Sequence, residues 1–221
     1  MPGNDRAAGL PAENTLRKEI KAVIYDCDGV MFDSFEANFA FYGQVMERFG
    51  KPPLDRRDAD LMRVLHTYCN KDVLMQLFAG DDRMSEARAF SACIDYQKLF
   101  PLMIMEKGLR ETLEALRGRV ELAVCTNRAS SMEMLLRSFG LESFFSCVMT
   151  AARVENPKPH PEPLWKVLEQ YGIAPHEALF VGDSEVDRQA ADAAGVPFVA
   201  YRGDMPAMAR IDRHQDLLLL L

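Results

Sequence analysis

Short apolar runs rich in β-branched residues recur along the chain, and each stops abruptly at a polar or glycine-containing turn. The first is IKAVIYD at 20–26; VELAVCTN at 120–127, FSCVMT at 145–150, EALFVGDS at 177–184 and PFVAY at 197–201 repeat its form. Runs of this length and composition predict buried strands. Between them the apolar positions fall three and four apart, in EKGLRETLEALRG, SSMEMLLRSFG, PEPLWKVLEQYG and VDRQAADAAG, three of which carry Gly just past the last periodic residue. That is the pattern of amphipathic helices with a glycine stop. Strand and helix thus alternate, which predicts an α/β fold: a mostly parallel sheet covered on both faces, its ligand site beyond the C-terminal strand ends.

The alternation breaks between about Ser34 and Met105. There SFEANFAFYGQVMERFG, ADLMRVL, KDVLMQLFAG and SEARAFSACIDYQKLF are all helical in period, with no strand-like run between them. A helical domain inserted over 34–105 follows, in a core domain formed by 19–33 and 106–221, with 1–18 a frayed tail. In its first helix Ser34 is expected as N-cap and Glu36 or Glu47 on the solvent side. Phe35, Phe39, Tyr42, Met46 and Phe49 recur at helical spacing as the core of a small bundle.

Bulk properties narrow the partners. The 221 residues carry 26 Lys and Arg against 33 Asp and Glu, a net charge of -7. This leaves no electrostatic footprint for nucleic acid or an anionic membrane, so an anionic substrate has to be attracted locally, most simply by a bound cation. The five cysteines include no C-x-x-C pair, which argues against a disulfide framework or a zinc knuckle and fits a cytoplasmic location. The opening MPGNDRAAGLPAEN has no apolar stretch of a secretory signal, and Leu217 to Leu221 is too short to span a bilayer; its expected role is packing a last turn or strand on the core.

Four groups of residues suggest chemistry. Asp26 and Asp28 end the first strand two residues apart, so both can face one crevice, and Gly29 permits a tight turn beneath an anion. Carboxylates gathered in this way call for a cation. Thr126 and Asn127 end a second strand, where a hydroxyl and a backbone N–H can hold phosphate oxygens; they serve equally well as caps of the helix from Ser130. Lys158 stands between two prolines in NPKPHPEP, a rigid setting for one ammonium or a plain solvated loop. In VGDSEVD, Asp183 and Asp187 are four apart, with helix capping by Asp183 the other reading.

In order and placement these motifs resemble those of the haloacid dehalogenase superfamily. DCDGV matches its nucleophile motif, CTN its threonine motif, the lysine of NPKP its third and GDSEVD its acidic metal motif, over about Ile20 to Tyr201. The resemblance implies a Rossmann-like, doubly wound parallel sheet with an inserted α-helical cap of the C1 type. It also implies a Mg²⁺-dependent phosphatase acting on a small organic phosphate ester. Asp26 is then the nucleophile that carries the phosphoryl group and Asp28 the general acid and base. Thr126, Asn127, Gly29 and Lys158 hold the phosphate; Mg²⁺ sits on Asp26, the Asp28 carbonyl and Asp183, with Asp187 in support.

The second aspartate separates phosphatases from the dehalogenases and phosphonate-cleaving members. A mutase similar to β-phosphoglucomutase stays as the alternative, and a non-catalytic phosphate-binding module is a more distant one. The C-terminal half looks most like phosphoglycolate phosphatases. In the cap, His66 to Lys71 is expected to reach the substrate's tail, with His66 and Lys71 as its contacts. The protein is expected to be a monomer or homodimer.

Overall fold

A computed structural model describes residues 20–129 and 131–221. The tail expected over 1–18 and the helix start at Ser130 lie outside the described residues. Six strands form one sheet: β1 (Ala22–Tyr25), β4 (Glu121–Thr126), β5 (Cys147–Thr150), β6 (Ala178–Gly182), β7 (Phe198–Tyr201) and β8 (Ala209–Ile211). Their order across the sheet is β5-β4-β1-β6-β7-β8, and every neighbouring pair is parallel. This is the doubly wound order, in which the chain builds outward from β1 on one side and then restarts on the other. Its crevice opens where β4, β1 and β6 end side by side. All four residues of β1 are buried, as a strand covered on both faces requires.

The helices α5 (Leu109–Leu116), α6 (Met132–Ser138), α7 (Glu162–Tyr171) and α8 (Glu185–Ala194) cover the sheet. Gly172 and Gly195 close α7 and α8 in the left-handed conformation, the glycine stops read from the sequence. The two faces have separate apolar clusters, one around Tyr25, Leu113 and Leu135, the other around Ile24, Leu164 and Phe180. Neighbours in β1 thus point to opposite cores.

The inserted segment contains α1 (Phe35–Arg48), α2 (Ala59–Thr67), α3 (Asn70–Leu77) and α4 (Met84–Cys93), then a 3₁₀ helix at Tyr96–Leu102. The run read as one helix from Ser85 to Phe100 is interrupted at Ile94, which is extended, and Asp95 begins the 3₁₀ turn by accepting from the Gln97 N–H. The insert leaves and rejoins the core through a two-rung antiparallel ribbon, β2 (Phe32–Asp33) on β3 (Ile104–Met105), with Phe32 opposite Met105. At the start of α1 the Ser34 hydroxyl caps no backbone N–H; Asp33 Oδ1 accepts from the Phe35 N–H instead. Among the described residues no helix is long and apolar enough to cross a membrane, and all five cysteines are free.

The leucine-rich C-terminus forms a 3₁₀ helix at His214–Leu219 with Leu217 fully buried. His214 is buried too; its Nε2–H donates to the Val30 carbonyl at 3.0 Å, and its ring stacks on Tyr201. Because a carbonyl can only accept, the neutral ring keeps its proton on Nε2, and buried Nδ1 has no partner among the described residues. Burial lowers the His214 pKa from 6.5 to about 4. A depressed folded-state value means that the unfolded chain binds the extra proton first as pH falls. Stability is therefore full above about pH 6.5 and is lost, by on the order of 3 kcal/mol, down to about pH 4. His214→Gln is expected to flatten this part of the curve of Tm against pH; a curve parallel to wild type between pH 4 and 6.5 would remove His214 as its cause.

Candidate active site

The backbone of Asp26 is still held by the sheet, its N–H donating to the Val181 carbonyl at 2.9 Å, so the carboxylate is aimed by β1 and β6 together. Beyond it the chain folds over in a turn in which the Met31 N–H donates to the Cys27 carbonyl and the Gly29 N–H to the Phe32 carbonyl. Cys27, between the two acids, points away into the core. Gly29 has φ +81°, and a Cβ there would lie 1.9 Å from Asp183 Oδ2, so this turn requires glycine for both conformation and space.

Lys158 is buried among these acids. Its ammonium donates to Asp26 Oδ1 at 2.7 Å, to Asp187 Oδ1 at 2.5 Å and to the Cys125 carbonyl at 3.0 Å, so all three N–H bonds are used. Burial opposes its charge, but the carboxylates of Asp187 and Asp26 outweigh that and hold the ammonium well above the usual lysine range. Asp187 is fully engaged on its other oxygen as well, where Oδ2 accepts from the Ser184 hydroxyl at 2.5 Å and the Ser184 N–H at 3.2 Å. Ser184, not Asp183, is thereby the N-cap of α8. Gly182 makes room for this arrangement, since a Cβ there would meet that of Asp187 at 2.5 Å.

Asp183 accepts no side-chain hydrogen bond from any described residue, and one carboxylate oxygen each of Asp26, Asp183 and Asp187 lie within 4.8 Å of one another. Burial, then the charges of Asp187 and Asp26, raise the Asp183 pKa well above the carboxylate range. Burial followed by Asp187 takes Asp26 to about 7, against the pull of Lys158. One ammonium thus faces more buried negative charge than it can balance, and hard oxygen donors of this kind suit a small divalent cation. With both oxygens of Asp187 occupied, Asp26 and Asp183 are the carboxylates left to hold it.

A pocket of about 200 Å³ joins Asp26, Asp28, Thr126, Lys158 and Asp183, with His66 of the insert at its edge. The family model described as haloacid dehalogenase-like hydrolase matches residues 23–201. The chain belongs to this family. It is 32% identical over 191 residues to a phosphoglycolate phosphatase of Pseudomonas putida, covering 81% of this chain and 68% of that protein. It is 30% identical over 183 residues to a phosphorylated carbohydrates phosphatase of Thermotoga maritima, covering 80% and 82%. A haloacid dehalogenase-superfamily hydrolase of subfamily IA from Geobacter sulfurreducens superimposes with a TM-score of 0.82 at 61% identity, over 91% of this chain and all of that one.

In this hydrolase Asp28 has a partner that the motifs do not announce. Arg128 Nε and Nη2 reach both Asp28 oxygens, at 2.8 Å and 3.1 Å from Nε and 2.8 Å from Nη2. Burial pushes the Asp28 pKa up, but the guanidinium prevails and holds it below the ordinary range. A lone Arg just after a Thr-Asn pair reads as surface; only the 100-residue closure onto Asp28 reveals it. Thr126 caps no helix either: its hydroxyl accepts from the Arg128 N–H at 3.1 Å, while α6 starts from Ser131.

Asn127 ties the insert to the core, its Nδ2 donating to the Thr67 carbonyl at 3.1 Å and the Lys158 carbonyl at 2.9 Å. His66 is brought to the pocket, stacked on Phe35 and paired through Nδ1 with Asn38. Lys71, in the first turn of α3, is exposed and lines a separate, outer depression beside Pro157 and His160.

Proposed function

We propose that the chain is a Mg²⁺-dependent phosphatase that hydrolyses a small organic phosphate ester through a phosphoryl-Asp26 intermediate. The observation that carries this reading is the isolation of Asp26 Oδ2: its sister oxygen is fixed by Lys158, and the free one faces a pocket in which Thr126 and Asp183 converge. Asp26 attacks phosphorus, the bond to the ester oxygen breaks, and Asp28 passes a proton to the departing alcohol; because Arg128 keeps Asp28 ionised in the free protein, Asp28 takes up that proton only when the charged ester enters beside it. Water then attacks the phosphoryl group, gives its proton to Asp28, and Asp26 is regenerated. Lys158, with no N–H to spare, acts by fixing Asp26 and through its charge. The Thr126 hydroxyl is placed to hold a phosphoryl oxygen, and Gly29 lets the turn approach it.

A magnesium ion held by Asp26, Asp183 and the Asp28 carbonyl would neutralise phosphate charge and help align the ester. The P. putida and T. maritima relatives support a phosphoglycolate-like or phosphosugar substrate, with His66 at its tail. Lys71 is the weaker contact, being turned to the outer depression. Free thiols throughout fit a reducing cytoplasm.

The test is a phosphate-release screen over phosphoglycolate, sugar phosphates, nucleotides and pyrophosphate. Steady release with Mg²⁺ that stops with EDTA is expected. Isomerisation of a sugar phosphate only when a bisphosphate is added would point instead to a mutase, and no turnover at all to a binding module.

A further inference from the structure

Beside the carboxylate pocket, between insert and core, lies a second cavity of about 320 Å³ that shares Asp28, His66 and Asn127 with it. Its volume is at the small end for ligand sites. Three residues of its lining hold buried polar atoms without a partner among the described residues: Asn70 Oδ1, Asn127 Oδ1 and His66 Nε2.

The hydrogen-bond network fixes what each of these atoms offers. Arg128 Nη2 can only donate, so the Asn38 atom it meets at 3.3 Å is Oδ1. Asn38 Nδ2 therefore faces His66 Nδ1, at 3.2 Å, which must accept; the neutral imidazole then carries its proton on Nε2. Burial favours that neutral form. Asn127 Nδ2 is committed to two carbonyls, and Asn70 Nδ2 donates at 3.0 Å to the Ser91 hydroxyl, which itself donates to the Arg88 carbonyl. The residues around the cavity thus hold one unused N–H and two unused amide oxygens among the described residues.

Arg128 adds a cation. One edge of its guanidinium, Nε with Nη2, holds Asp28. On the other edge the only hydrogen bonds among the described residues are long, Nη2 to Asn38 Oδ1 at 3.3 Å and Nη1 to Ser131 Oγ at 3.4 Å. Planar two-point binding of an oxyanion is what such an edge does best. Besides Asp28, the cavity's other acid is Asp95, which already accepts from the Gln97 N–H.

Resting on the phosphatase reading, we infer that Arg128 receives a second oxyanion, a carboxylate or phosphate on the alcohol part of the substrate, while Asn70 and Asn127 accept from its hydroxyls. The enzyme therefore selects phosphate esters with an acidic tail over neutral ones, and a single guanidinium links that tail to Asp28.

Two matched pairs test this: phosphoglycolate against 2-hydroxyethyl phosphate, and fructose 1,6-bisphosphate against fructose 6-phosphate. Wild type is expected to favour the acidic member of at least one pair by about tenfold or more in kcat/KM. Preference in the first pair assigns a carboxylate, and in the second a phosphate. Arg128→Lys keeps a cation for Asp28 but has no second edge, and Asn70→Asp places a negative charge in the cavity without touching Asp28; each should shrink the preference about tenfold, mainly through KM. Equal losses on both members of a pair in both variants, or a wild type indifferent to the tail, would overturn the assignment while leaving the phosphatase intact. Absence of phosphate release from every ester would remove the phosphatase reading and this one with it.

Discussion

Asp26→Asn is expected to lower Mg²⁺-dependent phosphate release by about 10⁴-fold to 10⁶-fold, the range for deleting a nucleophile. The substitution is nearly isosteric, and an amide oxygen can still accept from the Lys158 ammonium, 2.7 Å away in the wild type. The backbone tie to Val181 is unaffected by the side chain. Folding should therefore survive while the covalent step does not. The check is single-turnover phosphate release beside circular dichroism. A folded variant within tenfold of wild type would mean that phosphorus is attacked by something other than Asp26.

The second large effect is structural. Lys158→Met is expected to destabilise the protein by about 3–5 kcal/mol in urea unfolding, the usual cost of leaving a buried ion pair with one partner. Here two carboxylates are orphaned at once, Asp26 and Asp187, each bonded to the same ammonium. Activity should vanish along with stability, so activity alone cannot identify the cause. Adding Asp187→Asn removes one uncompensated charge and is expected to restore part of the stability but not turnover, a non-additivity typical of residues in direct contact. If the single substitution cost less than about 1 kcal/mol, the charge triad would not be a structural element.

The convergence of the strand-end residues on this site was legible in the sequence for a topological reason. In a parallel sheet each strand ends at the same edge, so Asp26, Thr126 and Asp183, at or just past the ends of β1, β4 and β6, had to converge once those runs were recognised as strands. Lys158 was legible through its prolines, although the saturation of its three N–H bonds was not. Elements of two or three residues, β2, β3 and β8, are too short to show a period. The break at Ile94 was hidden because a helical pattern continues through it; one aspartate side chain decides otherwise.

Arg128 and Asn38 escaped for a different reason. Their importance lies in partners 100 and 90 residues away from Arg128, and nothing local marks a polar residue as one that will be buried. Lys71 shows the converse: its neighbours His66 and Asn70 both line the second cavity, yet α3 carries Lys71 toward the outer depression.

The two-rung ribbon of β2 and β3 brings the chain out of the sheet and back again at adjacent points, Phe32 beside Met105 and Asp33 beside Ile104. Entry and exit share one doorway, so the intervening seventy or so residues leave the sheet and return to it at a single place. Segments with adjoining ends are the kind that proteins exchange most readily. The helical unit can accordingly be regarded as a cassette, joined to the sheet at that one place and fastened beyond it by the bonds of Asn127 to Thr67 and of Arg128 to Asn38.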